Sequence, residues 1–152
     1  MTQRVKRSEV LTDLILEIFR FNGTLRETGD NLVRGLGLTS ARWQVLGAIT
    51  MEEHNPTVAS IARRMGLARQ SVQRVVNDLV KEGLLICKDN PDHKRAKLIV
   101  MTEAGSEKYR LADVRQHHWV EALSDNLTAQ ELQQALDLIR QLDQRCRKDL
   151  SK

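Results

Sequence analysis

Only two cysteines, two prolines and five aromatic residues occur among 152 residues. Cys87 and Cys146 stand far apart and suggest no disulfide framework, so the chain reads as one for a reducing cytoplasm. With so few prolines and eight glycines there is little material for linkers. No apolar run approaches the roughly 20 residues that a membrane-spanning helix needs. Arg4, Lys6 and Arg7 are not followed by a charge-free apolar stretch, which argues against a secretory signal and against a membrane partner. A glycine-rich phosphate loop, a nucleophile elbow and a His–Cys cluster with metal spacing are all missing. His117 and His118 are neighbours, and on a helix they diverge by about 100°, too far to share a metal easily. The acids are scattered over helices as a surface, not paired as a catalytic site. An enzyme is therefore the least expected class, and no cofactor or metal is expected.

What is present is ordinary for a folded chain: 41% hydrophobic and 29% charged residues, over a length sufficient for a real core. The net charge of +4 is unevenly placed. Residues 56–97 hold nine Lys or Arg against four acids, a net of +5, so the other 110 residues sum to −1. One excess-positive segment in a near-neutral remainder is the footprint of polyanion binding, although a solvated basic face has the same charge.

Apolar spacing predicts the elements. Val10, Leu11, Leu14, Ile15, Ile18 and Phe19 recur with helical period, continuing to Leu25, Leu32 and Val33. Asn22-Gly23 either divides this stretch into two helices or is a weak point in one long helix. Thr39 suits the N-cap of a second helix bearing Trp43, Leu46 and Ile49. Pro56-Thr57 opens a short third helix with Val58, Ile61, Ala62 and Met65 on one face, and Gly66 stops it. A fourth helix follows at once, its buried stripe being Val72, Val75, Val76 and Leu79. The period then drops to 2 over 84–89 and 97–101, giving a hairpin with the turn Asn90-Pro91-Asp92 and a basic tip. Thr102 caps a fifth helix. Thr128 and Glu131 form a capping box for a sixth, whose stripe Leu132, Leu136, Ile139, Leu142, Cys146 and Leu150 asks for a partner helix.

Short helix, tight turn and longer helix make a helix-turn-helix. Once its valine stripe is buried, the fourth helix keeps Gln70, Gln73, Arg74, Asn77 and Lys81 on an outward face, with Arg69 and Ser71 at its N-terminal end. Amides can bond two edge atoms of adenine and guanidinium two of guanine, in a major groove wide enough for a helix. A bland surface helix more often alternates Glu and Lys, and this face holds no acid. His93, Lys94 and Arg95 at the hairpin tip add a second basic contact, for phosphates or an adjacent minor groove.

In this order the chain resembles the MarR family of bacterial regulators over nearly its whole length. The resemblance is carried by Leu38-Thr39, Trp43-Gln44-Val45-Leu46, Val58-Ala59-Ser60-Ile61-Ala62, Arg69-Gln70-Ser71-Val72-Gln73-Arg74, Gly83-Leu84-Leu85, Asn90 to Leu98, and Met101 to Gly105. It implies a mainly α fold with a small β-hairpin wing: a winged helix-turn-helix lobe over 38–102, with dimerisation helices in 1–37 and 103–152. It implies a recognition helix over 69–82, a wing over 90–97 and a nucleoid-associated homodimer that represses from pseudo-palindromic double-stranded DNA. The family's wing usually orients an Arg through Asp-x-Arg. Here Asp92 aligns with Lys94, and Arg95 is the residue expected to reach DNA. Many relatives release DNA on binding a small aromatic or phenolic effector. The candidates for such a site are Phe19, Phe21, Trp43, Tyr109 and Trp119 with Arg20 or Arg42, although aromatics so spaced also serve as core. Thiol-sensing relatives carry a cysteine near the start of the first helix. This chain has none there, and Cys87 and Cys146 read as small buried hydrophobes. The rival reading is a winged-helix module for protein–protein contact, which would not need amides and guanidinium aligned on one outward face.

Overall fold

The first helix passes straight through Asn22-Gly23. A computed structural model describes residues 2–150, with side chains from Lys6 onward. The side chain of Arg4 and residues 1, 151 and 152 of the expected dimerisation helices lie outside the described residues. Helix α1 is continuous over Thr2–Val33. Gly23 meets nothing within 4 Å of a would-be Cβ, so its missing side chain leaves no gap in any packing. A 3₁₀ turn over Arg34–Leu36 ends at Gly37. Then come α2 (Ser40–Thr50), α3 (Val58–Met65), α4 (Arg69–Lys81), β1 (Leu85–Lys88), β2 (Leu98–Met101), α5 (Glu103–Leu123) and α6 (Ala129–Leu150). This is the expected mainly α fold with one hairpin.

Local chemistry accounts for the boundaries. The Thr39 hydroxyl accepts the Arg42 N–H at 3.3 Å and caps α2. Asp30 of α1 strengthens that end by accepting the Ser40 N–H at 2.6 Å, a negative charge at a helix N-terminus. Thr57 and Ser60 close a full capping box on α3. Gly66, at φ 64°, lets the chain leave α3 in the left-handed conformation and re-enter a helix three residues later. Gly83, at φ 74°, does the same between α4 and the hairpin.

The two strands pair antiparallel, with Leu85 opposite Met101 and Lys88 opposite Leu98. They are slightly shorter than the alternation predicted. An additional pairing joins Pro56-Thr57 to β2, where the Ile99 N–H donates to the Pro56 carbonyl at 2.7 Å. The entry to α3 is thereby fastened to the hairpin. Thr102 makes a second fastening: its hydroxyl donates to the Gly83 carbonyl and accepts the Gly105 N–H.

Two units pack as separate bodies, one up to Arg115 and one from Gln116. In the first, Val33, Val45, Leu46, Ile61, Val72, Val76, Leu79, Leu85 and Ile99 are fully buried. Each such side chain contributes about 1.5–3 kcal/mol by leaving water. The predicted stripe of α4 is thus core, with Val75 half-buried at its edge. Arg115 donates to the Leu32 carbonyl at 2.8 Å and supplies a cation at the end of α1. In the second unit α6 starts with the expected capping box, the Glu131 carboxylate accepting the Thr128 N–H at 2.9 Å. No residue of α6 is buried.

Both cysteines depart from expectation. Cys87 and Cys146 are exposed, not buried. In β1 only Leu85 is buried, and the three residues after it are exposed. Cys146 lies on α6, where no described residue is buried. Among the described residues, no helix is long and apolar enough to cross a membrane, and no three His, Cys, Asp or Glu residues gather as metal ligands.

Candidate nucleic-acid interface

Burying Val72, Val76 and Leu79 turns the opposite side of α4 outward. Arg69, Gln70, Ser71, Gln73, Arg74, Asn77 and Lys81 are all exposed. Gln73 donates its amide to the Asn77 side-chain oxygen at 2.9 Å. One turn of the helix thus presents a preformed pair with the Gln73 oxygen and the Asn77 amide N–H groups left over. Ala68 stands at the N-cap, and no side chain caps α4. Its first N–H groups are therefore available to an anion.

The two acids of this segment are held away from that side. Arg42 on α2 reaches Glu82 at 2.7 Å and Asp78 at 3.9 Å, with its own side chain only 22% exposed. Sequence reasoning offered Arg42 as a partner for an anionic effector, whereas the guanidinium is spent on α4. The signal that could have found this is the i, i+4 spacing of Asp78 and Glu82, which places both on one side of the helix.

In the wing, the Asn90 side chain accepts the Asp92 N–H at 3.0 Å, and two turns follow, closed by His93 N–H to Asn90 and Ala96 N–H to His93. His93, Lys94 and Arg95 are exposed on them. Asp92 forms no ion pair with Lys94 or Arg95 among the described residues. The ion pair of this wing joins Lys97 to Asp89 at its base. The hydrogen bond from Lys97 holds the Asp89 carboxyl below the usual carboxylate range, and the same contact raises the Lys97 ammonium.

Helix and wing meet in a cleft of about 110 Å³, where Arg69 and Gln73 of α4 come together with Arg95 and Lys97. Thr57, at the start of α3, and Cys87 also line it. Neither was singled out for this surface in the sequence, since both belong to elements read as framework. Arg69, Gln73 and Arg95 offer donors around a cleft lined by no acid, a set that suits a phosphate oxygen, while Lys97 is paired with Asp89.

The aromatic set is less gathered. Phe19 is 70% exposed on α1. Arg20 pairs with Glu17. Trp43 and Tyr109 are half-buried against the core, the Tyr109 ring lying over Gly47 of α2. Trp119 belongs to the second unit.

Residues 36–96 match the model of the MarR family, the segment holding α2 to the wing tip. A protein of Mycobacterium tuberculosis, itself uncharacterised, is 36% identical over 135 residues, covering 89% of this chain and 93% of its own. The chain belongs to the MarR family. The transcriptional activatory protein BadR of Rhodopseudomonas palustris is 27% identical over 65% of this chain and 58% of its own. Among solved structures, a MarR/EmrR family regulator from Acinetobacter superposes with a TM-score of 0.81 at 19% identity, over 90% of this chain and 96% of that one. The MarR-family fold also matches MosR of M. tuberculosis, solved in complex with DNA (TM-score 0.72, 20% identity, 88% and 97% covered). CouR of Rhodococcus jostii, solved with p-coumaroyl-CoA, matches at 0.76 (21% identity, 86% and 91% covered).

Proposed function

We propose that this MarR-family chain is a non-enzymatic transcriptional repressor that binds a pseudo-palindromic operator as a homodimer. One observation carries the reading: the side of α4 opposite its buried stripe is exposed and rich in amide and guanidinium groups, while the acids Asp78 and Glu82 pair with Arg42. Residues 38–102 would read DNA, while 1–37 and 103–152 would interlock with a second copy. Arg69, Gln70, Ser71, Gln73, Arg74, Asn77 and Lys81 would meet the major groove, and His93, Lys94 and Arg95 the flanking backbone or minor groove. Half-sites would lie roughly 10 base pairs apart, one groove for each copy. The complex of MosR with DNA supports this use of the fold. That of CouR with p-coumaroyl-CoA supports an effector with an aromatic group, for which Phe19, Arg20, Trp43, Tyr109 and Trp119 are the candidate contacts.

The test is selection from randomised duplexes, followed by mobility-shift titration at two salt concentrations. A two-fold symmetric site should emerge, bound on the order of a thousandfold or more above random DNA, with affinity falling steeply as salt rises. Equal, poor binding to every duplex would overturn the reading.

A further inference from the structure

The acid nearest to Arg74 along α4 is Asp78, four residues on. At 3.6 residues per turn the two stand about 40° apart around the helix and one turn apart along it. Opposite charges at that spacing ordinarily pair on a helix surface. Here they do not. Arg74 is exposed and makes no ion pair or hydrogen bond among the described residues. Asp78 is held instead by Arg42 of α2 at 3.9 Å, and Glu82, about 40° further round, meets the same guanidinium at 2.7 Å. Each carboxylate takes a different nitrogen, Nη2 for Asp78 and Nη1 for Glu82.

Arg42 is fixed in place by its own helix. Its backbone N–H lies on the Thr39 cap, and Val45, Leu46 and Ile49, further along α2, are buried. Its side chain is far less exposed than that of Asp78. A planar fork serves two carboxylates through separate N–H groups, which a single ammonium on a flexible stem cannot match. Without Arg42 the two acids, four residues apart on one strip of α4, would repel each other. The cations within a turn of Asp78 on α4 are Arg74 and Lys81. Either pairing would occupy a side chain of the outward face and set a carboxylate against phosphates and base acceptors.

We propose that Arg42 is a positioning residue for base reading: by drawing Asp78 and Glu82 towards α2, it leaves the Arg74 guanidinium unpaired for a base. This role rests on the reading that α4 is the DNA-reading helix; the competition of Arg42 and Arg74 for Asp78 does not. Arg42 acts through Arg74. Its loss therefore relaxes preference at the base that Arg74 reads, on top of any uniform loss that the freed carboxylates cause.

The full chain is compared as wild type, Arg42→Met, Asp78→Asn and the double variant Arg42→Met/Asp78→Asn. Without DNA, the Arg74 Nε–H signal is followed by NMR. It should stay in place in Asp78→Asn, move in Arg42→Met and return in the double variant. A signal unmoved in Arg42→Met, or moved as far by Asp78→Asn alone, overturns the competition. With the selected operator and its single-base variants, Arg42→Met should lose about fivefold or more of the discrimination at the position that Arg74→Ala relaxes. Adding Asp78→Asn should restore it. Equal loss at every position, or no rescue, overturns the positioning role. Should Arg42→Met fail to fold, Arg42→Met/Glu82→Gln, which leaves a single carboxylate without its partner, replaces it in the same comparison. If the wild type binds no duplex specifically, the DNA reading falls and the positioning role with it, while the NMR comparison still decides whether Arg42 and Arg74 compete for Asp78.

Discussion

Arg74 and Lys94 carry the same charge but are placed for different tasks. Arg74 stands mid-helix on the exposed face of α4, where a planar fork can meet two base atoms, whereas Lys94 sits at the wing tip as a point charge. Arg74→Ala should cost about 1–3 kcal/mol of binding and relax base preference. Lys94→Ala should weaken all duplexes alike and reduce the salt slope by about one. Competition titrations against single-base operator variants read both effects. A residue with a purely structural task is Gly105: a Cβ there would lie 2.1 Å from the Leu84 carbonyl oxygen. Backbone cannot yield as a side-chain tip can, so Gly105→Ala should lower stability by about 1–3 kcal/mol, seen as a reduced urea midpoint. Nothing in the one-dimensional pattern distinguishes this glycine from Gly23, which meets nothing.

Elements are where the sequence was most readable, because helix ends are set by side chains two or three residues away. The Thr128–Glu131 box shows this and also has a pH consequence. The Thr128 N–H, and then its hydroxyl, hold the Glu131 carboxyl below its ordinary range. A carboxyl depressed on folding adds stability above its unfolded pKa and loses it as pH falls through the folded value. The first turn of α6 should therefore loosen only at acid pH. In an NMR titration Glu131 should titrate below a free glutamate; Thr128→Ala should move it only part of the way back, since the backbone bond remains. Less readable was the Arg42 contact with Asp78 and Glu82, which links α2 to α4 across distant sequence and keeps two carboxylates off the proposed DNA-facing side.

At the scale of the whole molecule, the apolar stripes do not all find cover. Ile15, Leu16 and Phe19 on α1, and Leu132, Leu136 and Ile139 on α6, are each more than 40% exposed. Apolar positions repeated at helical spacing over such lengths are the pattern of a seam between chains. Ile139→Asp should convert a dimer to monomers in sedimentation equilibrium. It should lower affinity for the full operator by about a hundredfold or more while sparing contacts to one half-site, since the second half-site is no longer reached within one assembly. A monomeric wild-type chain at micromolar concentration would exclude the proposed seam.

The sequence by itself determined the helices after the first, most of their caps, the hairpin and the outward side of α4, but left open whether the first helix breaks at Asn22-Gly23. All depend on local periodicity and on near-neighbour hydrogen bonds, which are written in consecutive residues. Cys87 shows the limit, because alternation tells which residues share a face but not whether anything covers it. Only the tertiary structure decided that Arg42 serves α4 and that Arg69 and Arg95 share one cleft. Each brings together residues from separate elements, and such meetings depend on how helices pack over a common core rather than on any spacing along the chain.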